Sequence, residues 1–133
     1  MTNPGTAALI ERFYDALAGD DVGPILELVS DDAVWRYPDV DGLPYGGEWR
    51  GREAVGRFLE AHDAAEEILD FRVDRTVVDG ETAVAIGSYE GRAKESGRTW
   101  HTSFAHVLTL RSGGVATFTA YFDTAAALAA RRR

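Results

Sequence analysis

Residues 115–123 read Val-Ala-Thr-Phe-Thr-Ala-Tyr-Phe-Asp, and residues 124–130 continue as Thr-Ala-Ala-Ala-Leu-Ala-Ala. The first stretch mixes β-branched and aromatic residues and carries no charge before Asp123, which predicts a β-strand. The second stretch is rich in alanine and predicts a short helix. The strand and the helix are therefore expected to meet at one carboxylate.

Asp123 is the strongest single candidate for chemistry. A carboxylate held in a hydrophobic pocket is desolvated, which disfavours its charged form and would make it a usable acid or base near neutral pH. Aspartate is also a good N-cap, so Asp123 is equally expected to cap the helix at residues 124–130. The sequence leaves both roles open, and they are compatible.

Three earlier stretches show the period-two pattern of β-strands, at residues 68–78, 82–93 and 99–110. Glycine-containing loops separate these stretches from one another and from residues 115–123: Asp79-Gly80, residues 94–97 and residues 112–114. Asp-Gly is a strong signal for a tight hairpin. This half of the sequence therefore predicts a four-stranded antiparallel meander.

The first half of the sequence predicts three helices. One extends from Asn3-Pro4 to about Ala18 and another begins at Gly51. Their apolar faces are Leu9, Ile10, Phe13, Tyr14 and Leu17 in the first, and Ala54, Val55, Phe58, Leu59 and His62 in the other. Residues 22–29 predict a short helix between them, and residues 33–37 predict a strand that Pro38 ends.

Segment 38–51 is rich in glycine and proline and is predicted to be a loop. Its aromatic residues suggest a lid over a cavity, although Trp49 would also suit the edge of the core. Helices followed by strands predict an α+β fold in which a cone-shaped, curved antiparallel β-sheet wraps around three N-terminal helices. Residues 1–133 are expected to form one domain with a ligand site at the mouth of the cone.

Composition narrows the functional classes. A net charge of −8 argues against nucleic acid or an anionic membrane as a partner. There is no cysteine, no apolar stretch of membrane-spanning length and no leader pattern, which together favour a cytoplasmic protein. The three histidines lack metal-ligand spacing and no phosphate-binding glycine loop is present, so neither a metal nor another cofactor is expected. The basic residues 131–133 are expected to be solvated.

Several motifs resemble the nuclear transport factor 2-like superfamily: residues 14–20, 30–34, 50–55, Gly114-Val115 and residues 121–124. Within that superfamily the chain is most similar to the SnoaL-like group, which includes polyketide cyclases and is related to ketosteroid isomerases. The resemblance covers nearly the whole chain. It implies the cone fold, while the superfamily holds isomerases, cyclases, hydrolases, dehydratases and proteins without catalysis.

The ketosteroid isomerases imply a base just before the proline after the first strand, and an oxyanion-hole tyrosine in helix one. These positions correspond to Tyr37 and Phe13. A tyrosine cannot replace a carboxylate base at neutral pH, and phenylalanine has no donor. Tyr14 lies about 100° further around the helix and would substitute only if the helix were rotated. Isomerisation by that arrangement is therefore not expected.

The SnoaL-like cyclases imply an acid/base aspartate near the end of the last strand, which Asp123 matches, and a histidine on the preceding strand, which His106 could match. In one hairpin register His106 shares a face with Tyr121 and Asp123. In a register shifted by one residue, Ser103 and Ala105 take that place, because side chains alternate along a strand. The sequence does not decide between the two registers.

The resulting hypothesis is a cofactor-independent protein that encloses a small, mostly apolar carbonyl compound. Asp123 and His106 are the predicted catalytic residues, with Tyr14 or His106 donating a hydrogen bond to an enolate-like oxygen. The predicted cavity lining is Tyr14, Trp35, Tyr37, Trp49, Phe58, Phe104 and Tyr121. The alternative is a non-catalytic ligand-binding or accessory protein, which an exposed Asp123 would favour. The outer face of the sheet, with Val, Thr and Ala, predicts a homodimer.

Overall fold

A computed structural model of the chain describes residues 4–19 and 21–132. Its helices are α1 (Pro4–Leu17), α2 (Gly23–Glu27), α3 (Arg52–Ala65) and α4 (Thr124–Ala130). Its strands are β1 (Val29–Tyr37), β2 (Gly47–Arg50), β3 (Glu66–Asp79), β4 (Thr82–Ala93), β5 (Thr99–Arg111) and β6 (Gly114–Phe122). The predicted α+β class and the antiparallel meander β3 to β6 are confirmed. None of the described helices is long and apolar enough to cross a membrane.

All six strands belong to one curved, unclosed sheet in the order β2-β1-β6-β5-β4-β3. Neighbouring strands are antiparallel except β1 and β6, which are parallel. The register of β3 against β4 shifts at two bulges, and a Cβ on Gly87 would clash with the carbonyl oxygen of Arg72. Bulges and a glycine at a close backbone approach bend a sheet, which brings β3 and β4 around the helices.

The first strand and the loop after it differ from the prediction. β1 starts at Val29, which was expected to end the second helix, because Val29 pairs with Val115 of β6. Residues 47–50, expected to be part of a loop, form the edge strand β2, in which Trp49 pairs with Trp35. The predicted start of α1 at Asn3 lies outside the described residues.

The core lies between the concave face of the sheet and helices α1 and α3. At its centre are Phe13, Trp35 and Phe118, all at most 1% exposed. Their ring centroids lie 4.6 to 6.0 Å apart. Burying an aromatic side chain of this kind stabilises the fold by about 1.5–3 kcal/mol. This aromatic centre forms the floor of the site described next.

Candidate functional site

A cavity of about 850 Å³ opens between the end of α1, α2, the second half of α3 and the first half of β3. Its interior wall is largely aromatic, whereas its mouth carries most of the charged residues. The interior side chains include Trp35, Tyr37, Phe58, His62, Phe71, His106 and Phe118. The cavity thus occupies the place where the sequence predicted a ligand site.

Four of the predicted site residues line this cavity: Trp35, Tyr37, Phe58 and His106. Phe104 lies behind the wall, 3% exposed, with its ring stacked on that of His106 at a centroid distance of 4.2 Å. It supports the site rather than lining it.

Trp49 lies outside the cavity wall. It is half-buried on β2, packs against Phe58 and donates its Nε1–H to the carbonyl oxygen of Tyr45 at 3.2 Å. These contacts place Trp49 at the edge of the core, which was the alternative to its role in a lid.

The register of β5 and β6 separates Tyr121 from His106. His106 pairs with Ala120, and Ala105 pairs with Tyr121, so the second of the two possible registers is present. Tyr121 is 57% exposed on the outer face of the sheet. Its predicted place in the cavity lining is therefore wrong, because neighbouring residues of a strand point to opposite faces.

Asp123 is exposed and caps α4. Its Oδ1 accepts a hydrogen bond from the backbone N–H of Ala126 at 3.0 Å, and its own N–H donates to Thr102 Oγ1 at 2.9 Å. The expected placement of Asp123 in a hydrophobic pocket beside His106 is wrong, because β6 ends at Phe122 and the carboxylate turns to the helix. The acid/base role predicted for Asp123 therefore finds no support in its surroundings.

His106 is a buried polar residue of the cavity wall. It is 5% exposed, and its Nδ1 lies 2.8 Å from the hydroxyl oxygen of Tyr14. Burial lowers the pKa of His106 to about 3 and raises the pKa of Tyr14 above its ordinary value. Both side chains are therefore neutral at neutral pH.

The hydrogen bond links the tautomer of His106 to the direction in which the Tyr14 hydroxyl points. Nδ1 is the one side-chain nitrogen within reach of that hydroxyl in the described part of the chain, and in one direction of the bond the hydroxyl donates to Nδ1. A neutral imidazole that accepts at Nδ1 carries its proton on Nε2. Among the described residues Nε2–H has no acceptor, so it is available to a ligand.

Trp35 presents a second donor. Its side chain is 1% exposed, and its Nε1–H is buried without a hydrogen-bond partner among the described residues. An unpaired buried donor costs about 1–3 kcal/mol, and a ligand oxygen that reaches it would recover part of that cost. The aromatic wall therefore contains donors that lack acceptors.

A buried ion pair between Glu66 and Arg131 was missed by the sequence analysis. The Glu66 side chain is fully buried, with Oε2 accepting from Arg131 Nη2 at 2.7 Å and Oε1 accepting from Trp100 Nε1. Arg131 also donates to Tyr45 Oη at 3.2 Å and to the carbonyl oxygen of Ala127 at 2.6 Å. Desolvation raises the pKa of Glu66, although the Arg131 charge opposes this shift.

The expectation of a solvated basic tail is therefore wrong for Arg131. The signal that could have identified it is helical spacing, since Arg131 follows the buried Ala127 by four residues and continues the face of Ala127 and Ala130. Glu66 gave no such signal, because it stands at the junction of a helix and a strand.

His62 also lines the cavity, and its pKa is lowered to about 4 by burial and then by the Arg131 charge. Within residues 4–19 and 21–132 there is no group of three or more His, Cys, Asp or Glu side chains placed to hold a metal ion.

Comparisons with known proteins agree with this architecture. The family model described as SnoaL-like domain matches residues 10–118. An NTF2-like protein from Burkholderia xenovorans LB400 is 25% identical and superimposes with a TM-score of 0.88 over 99% of both chains. A protein of ketosteroid isomerase-like fold from Catenulispora acidiphila DSM 44928, solved in complex with trimethylamine, is 18% identical, with a TM-score of 0.78 over 98% of this chain and 94% of that one.

A curated relative is the ECF RNA polymerase sigma factor SigG of Mycobacterium tuberculosis, which is 25% identical over 123 residues. The match covers 92% of this chain and 30% of that protein, so the chain spans about a third of the length of its relative. The family model covers well over half of the present chain and agrees with the fold. The chain therefore belongs to the family of SnoaL-like domains.

Proposed function

We propose that this protein binds a small, mostly apolar carbonyl compound in the cone cavity, and that binding rather than proton transfer by Asp123 is its function. The observation that carries the proposal is His106 in the cavity wall, with its Nδ1 bonded to the hydroxyl of Tyr14 behind that wall. With the hydroxyl donating to Nδ1, the neutral imidazole carries its proton on Nε2 and presents this donor to a largely aromatic interior.

The size and lining of the cavity support this ligand class. Small-molecule sites typically measure roughly 300–1,000 Å³ and combine an apolar wall with a few placed polar groups. The present cavity, at about 850 Å³, lies within that range. The rings of Phe104 and Phe118 lie 4.2 and 4.7 Å from that of His106, so the donor is held rigidly between apolar neighbours.

A carbonyl oxygen suits the unpaired donors. It accepts from the Nε2–H of His106, and the Nε1–H of Trp35 is a second donor in the same wall. One such hydrogen bond contributes about 1 kcal/mol net. A ligand without an acceptor would leave both donors unpaired.

An isomerase or cyclase reaction needs, in addition, a proton acceptor beside the same oxygen. Asp123 is exposed and capping, and Glu66 is occupied by Trp100 and Arg131. With its pKa lowered to about 3, His106 is a weak base. The other carboxylates of the described lining, such as Asp21, Glu60 and Asp63, are exposed to solvent rather than buried beside His106. The absence of a buried base beside the donor favours binding.

One protein of similar structure supports a binding role by analogy. The Catenulispora acidiphila protein of the same fold was solved with a small molecule, trimethylamine.

We further propose a cytoplasmic homodimer without a nucleic-acid partner. The outer face carries no charge from Thr82 to Ser88 of β4 or at the positions of β5 and β6 in register with them, and it exposes Ile86 and Tyr121. Charged residues of this face lie on β3, where Arg75 pairs with Ile86. Exposed apolar faces of this kind mark interfaces. The net charge of −8 opposes contact with phosphates.

The test compares two ligands of one skeleton, 3,3-dimethyl-1-phenylbutan-1-one and its deoxygenated analogue (3,3-dimethylbutyl)benzene, by quenching of tryptophan fluorescence. His106→Phe keeps the stacked ring and removes the donor. In this variant the Kd of the ketone divided by the Kd of the hydrocarbon should rise about fivefold. Tyr121→Phe, on the outer face, is the control and should leave the ratio unchanged. Absence of binding by both compounds to the unmodified protein would refute the proposal.

A further inference from the structure

The lining of the cone cavity is acidic. The described part of that lining includes six carboxylates and one lysine: Asp21, Glu60, Asp63, Glu66, Glu67, Asp70 and Lys94. Three of these carboxylates have arginine partners. Glu66 pairs with Arg131 and Glu67 with Arg92, each at 2.7 Å, and Asp70 lies 3.9 Å from Arg72.

The other three carboxylates have no ion-pair partner within the part of the chain that the structure describes. Asp21 accepts a hydrogen bond from the backbone N–H of Gly23 at 3.1 Å. Glu60 and Asp63 lie one turn apart on α3 and are exposed. Three unpaired carboxylates outweigh the one lysine, so the local field at the mouth favours a positive charge.

Helix stability does not explain the position of Glu60 and Asp63. Both lie in the second half of α3, where the carbonyl end of the helix dipole disfavours negative charge. A positively charged residue there would stabilise the helix. The one basic residue type in the last turn of α3 is His62, which is neutral.

Neither histidine of the described cavity wall carries a charge that would repel a cation. His62 and His106 are uncharged at neutral pH, since burial lowers their pKa values to about 4 and about 3. The Arg131 charge that acts on His62 is paired with Glu66. The aromatic faces of Tyr37 and Phe58 lie in the same wall, and aromatic faces attract organic cations.

We infer that the ligand carries a protonated or quaternary amine, which lies at the mouth near Asp21, Glu60 and Asp63 while the apolar carbonyl body occupies the cavity. This inference rests on the proposed function and adds a charge to the ligand class. The amine remains at the hydrated mouth, so binding does not require its full desolvation.

The test uses a charged and a neutral ketone of one shape. Phenacyltrimethylammonium differs from 3,3-dimethyl-1-phenylbutan-1-one by a positively charged nitrogen in place of one carbon. Each exposed carboxylate and ammonium pair contributes up to about fivefold in affinity, so the charged ketone should bind about tenfold tighter at low ionic strength. The preference should fall to about twofold in 0.5 M NaCl because salt screens exposed charges.

A double variant, E60Q/D63N, should weaken the binding of the charged ketone more than that of the neutral ketone and so remove most of the preference. The matched control is D79N/E81Q, which removes the same charge from the exposed hairpin between β3 and β4, at the other end of these strands. Its preference should equal that of the unmodified protein.

Equal affinities for the two ketones, or an equal loss in both double variants, would overturn the inference while leaving the proposed function intact. Failure of both ketones to bind would overturn the proposed function and the inference together.

Discussion

Replacing Arg131 by methionine should be strongly destabilising, because it leaves the carboxyl group of Glu66 buried without its positive partner. The Arg131 side chain is 8% exposed and that of Glu66 is fully buried, at an Nη2–Oε2 distance of 2.7 Å. Breaking a buried ion pair from one side costs about 3–5 kcal/mol, whereas removing both charges is often nearly neutral. We therefore expect Arg131→Met to lower the free energy of unfolding by about 3–5 kcal/mol, and E66Q/R131M to recover most of that loss.

The pair formed by Arg92 and Glu67 is the matched control. It has the same 2.7 Å distance, but its side chains are 45% and 50% exposed. Arg92→Met should therefore cost only about 0–1 kcal/mol. Urea unfolding at pH 7, followed by circular dichroism, measures all three variants. If the free energy of unfolding of Arg131→Met were no lower than that of Arg92→Met, the buried ion pair would not stabilise the packing of α4 against the sheet.

Four other outcomes follow from the site. Asp123→Asn should keep both the helix cap and the affinity for the ketone. Asp123→Ala should lower the free energy of unfolding in urea by about 1 kcal/mol and leave the affinity unchanged. Loss of ketone affinity in either variant would show that Asp123 belongs to the site. Because the folded-state pKa of His106 lies near 3, below its ordinary value, its stabilising contribution is full above about pH 6.5 and is lost as the pH falls toward 3. Between pH 6 and pH 4.5 the free energy of unfolding should therefore fall less steeply in His106→Phe than in the unmodified protein. The two slopes should differ by up to about 1.4 kcal/mol per pH unit, and equal slopes would contradict burial of a neutral imidazole. Trp49→Ala should lower stability by about 2–3 kcal/mol with ketone affinity unchanged, and the reverse pattern in thermal and fluorescence titrations would restore its role in a lid. Light scattering should give about twice 14.5 kDa, Ile86→Asp should shift the mass toward 14.5 kDa, and a monomeric unmodified protein would exclude the dimer.

The regular elements could be predicted from the sequence because their signals are local. The period-two run at residues 82–93 and the alanine-rich run at residues 124–130 match β4 and α4 at both ends. β2 was missed since its four residues, Gly-Glu-Trp-Arg, are too few to show alternation and lie among glycines and prolines. The start of β1 was missed since Asp31 and Asp32 are typical of a turn, whereas here they are exposed residues of a strand and Asp31 pairs with Arg52.

The sequence predicts a site residue correctly where the periodicity of its own helix or strand determines which way its side chain faces. Trp35 and Phe58 belong to faces that local periodicity reveals, and both line the cavity. The contact between Tyr14 and His106 joins residues 92 positions apart and depends on the rotation of α1 against the sheet. The burial of Phe13 in the core leaves Tyr14 facing His106, which local periodicity alone could not decide.

Long-range register decides the remaining cases. A one-residue shift of β5 against β6 exchanges His106 and Ala105 beside Tyr121, and glycine-containing loops permit either register. The ion pair likewise depends on a long-range contact, the packing of α4 against the sheet. Its two residues, Glu66 and Arg131, are 65 positions apart in the sequence.

A crystal structure of the protein with 3,3-dimethyl-1-phenylbutan-1-one would show directly whether His106 binds the carbonyl oxygen. We expect the ketone inside the cone cavity, with its oxygen about 2.7–3.2 Å from His106 Nε2 and with Asp123 still bonded to the N–H of Ala126. A ketone bound outside the cavity, or one whose oxygen or adjacent carbon contacts Asp123 instead of His106, would contradict this expectation.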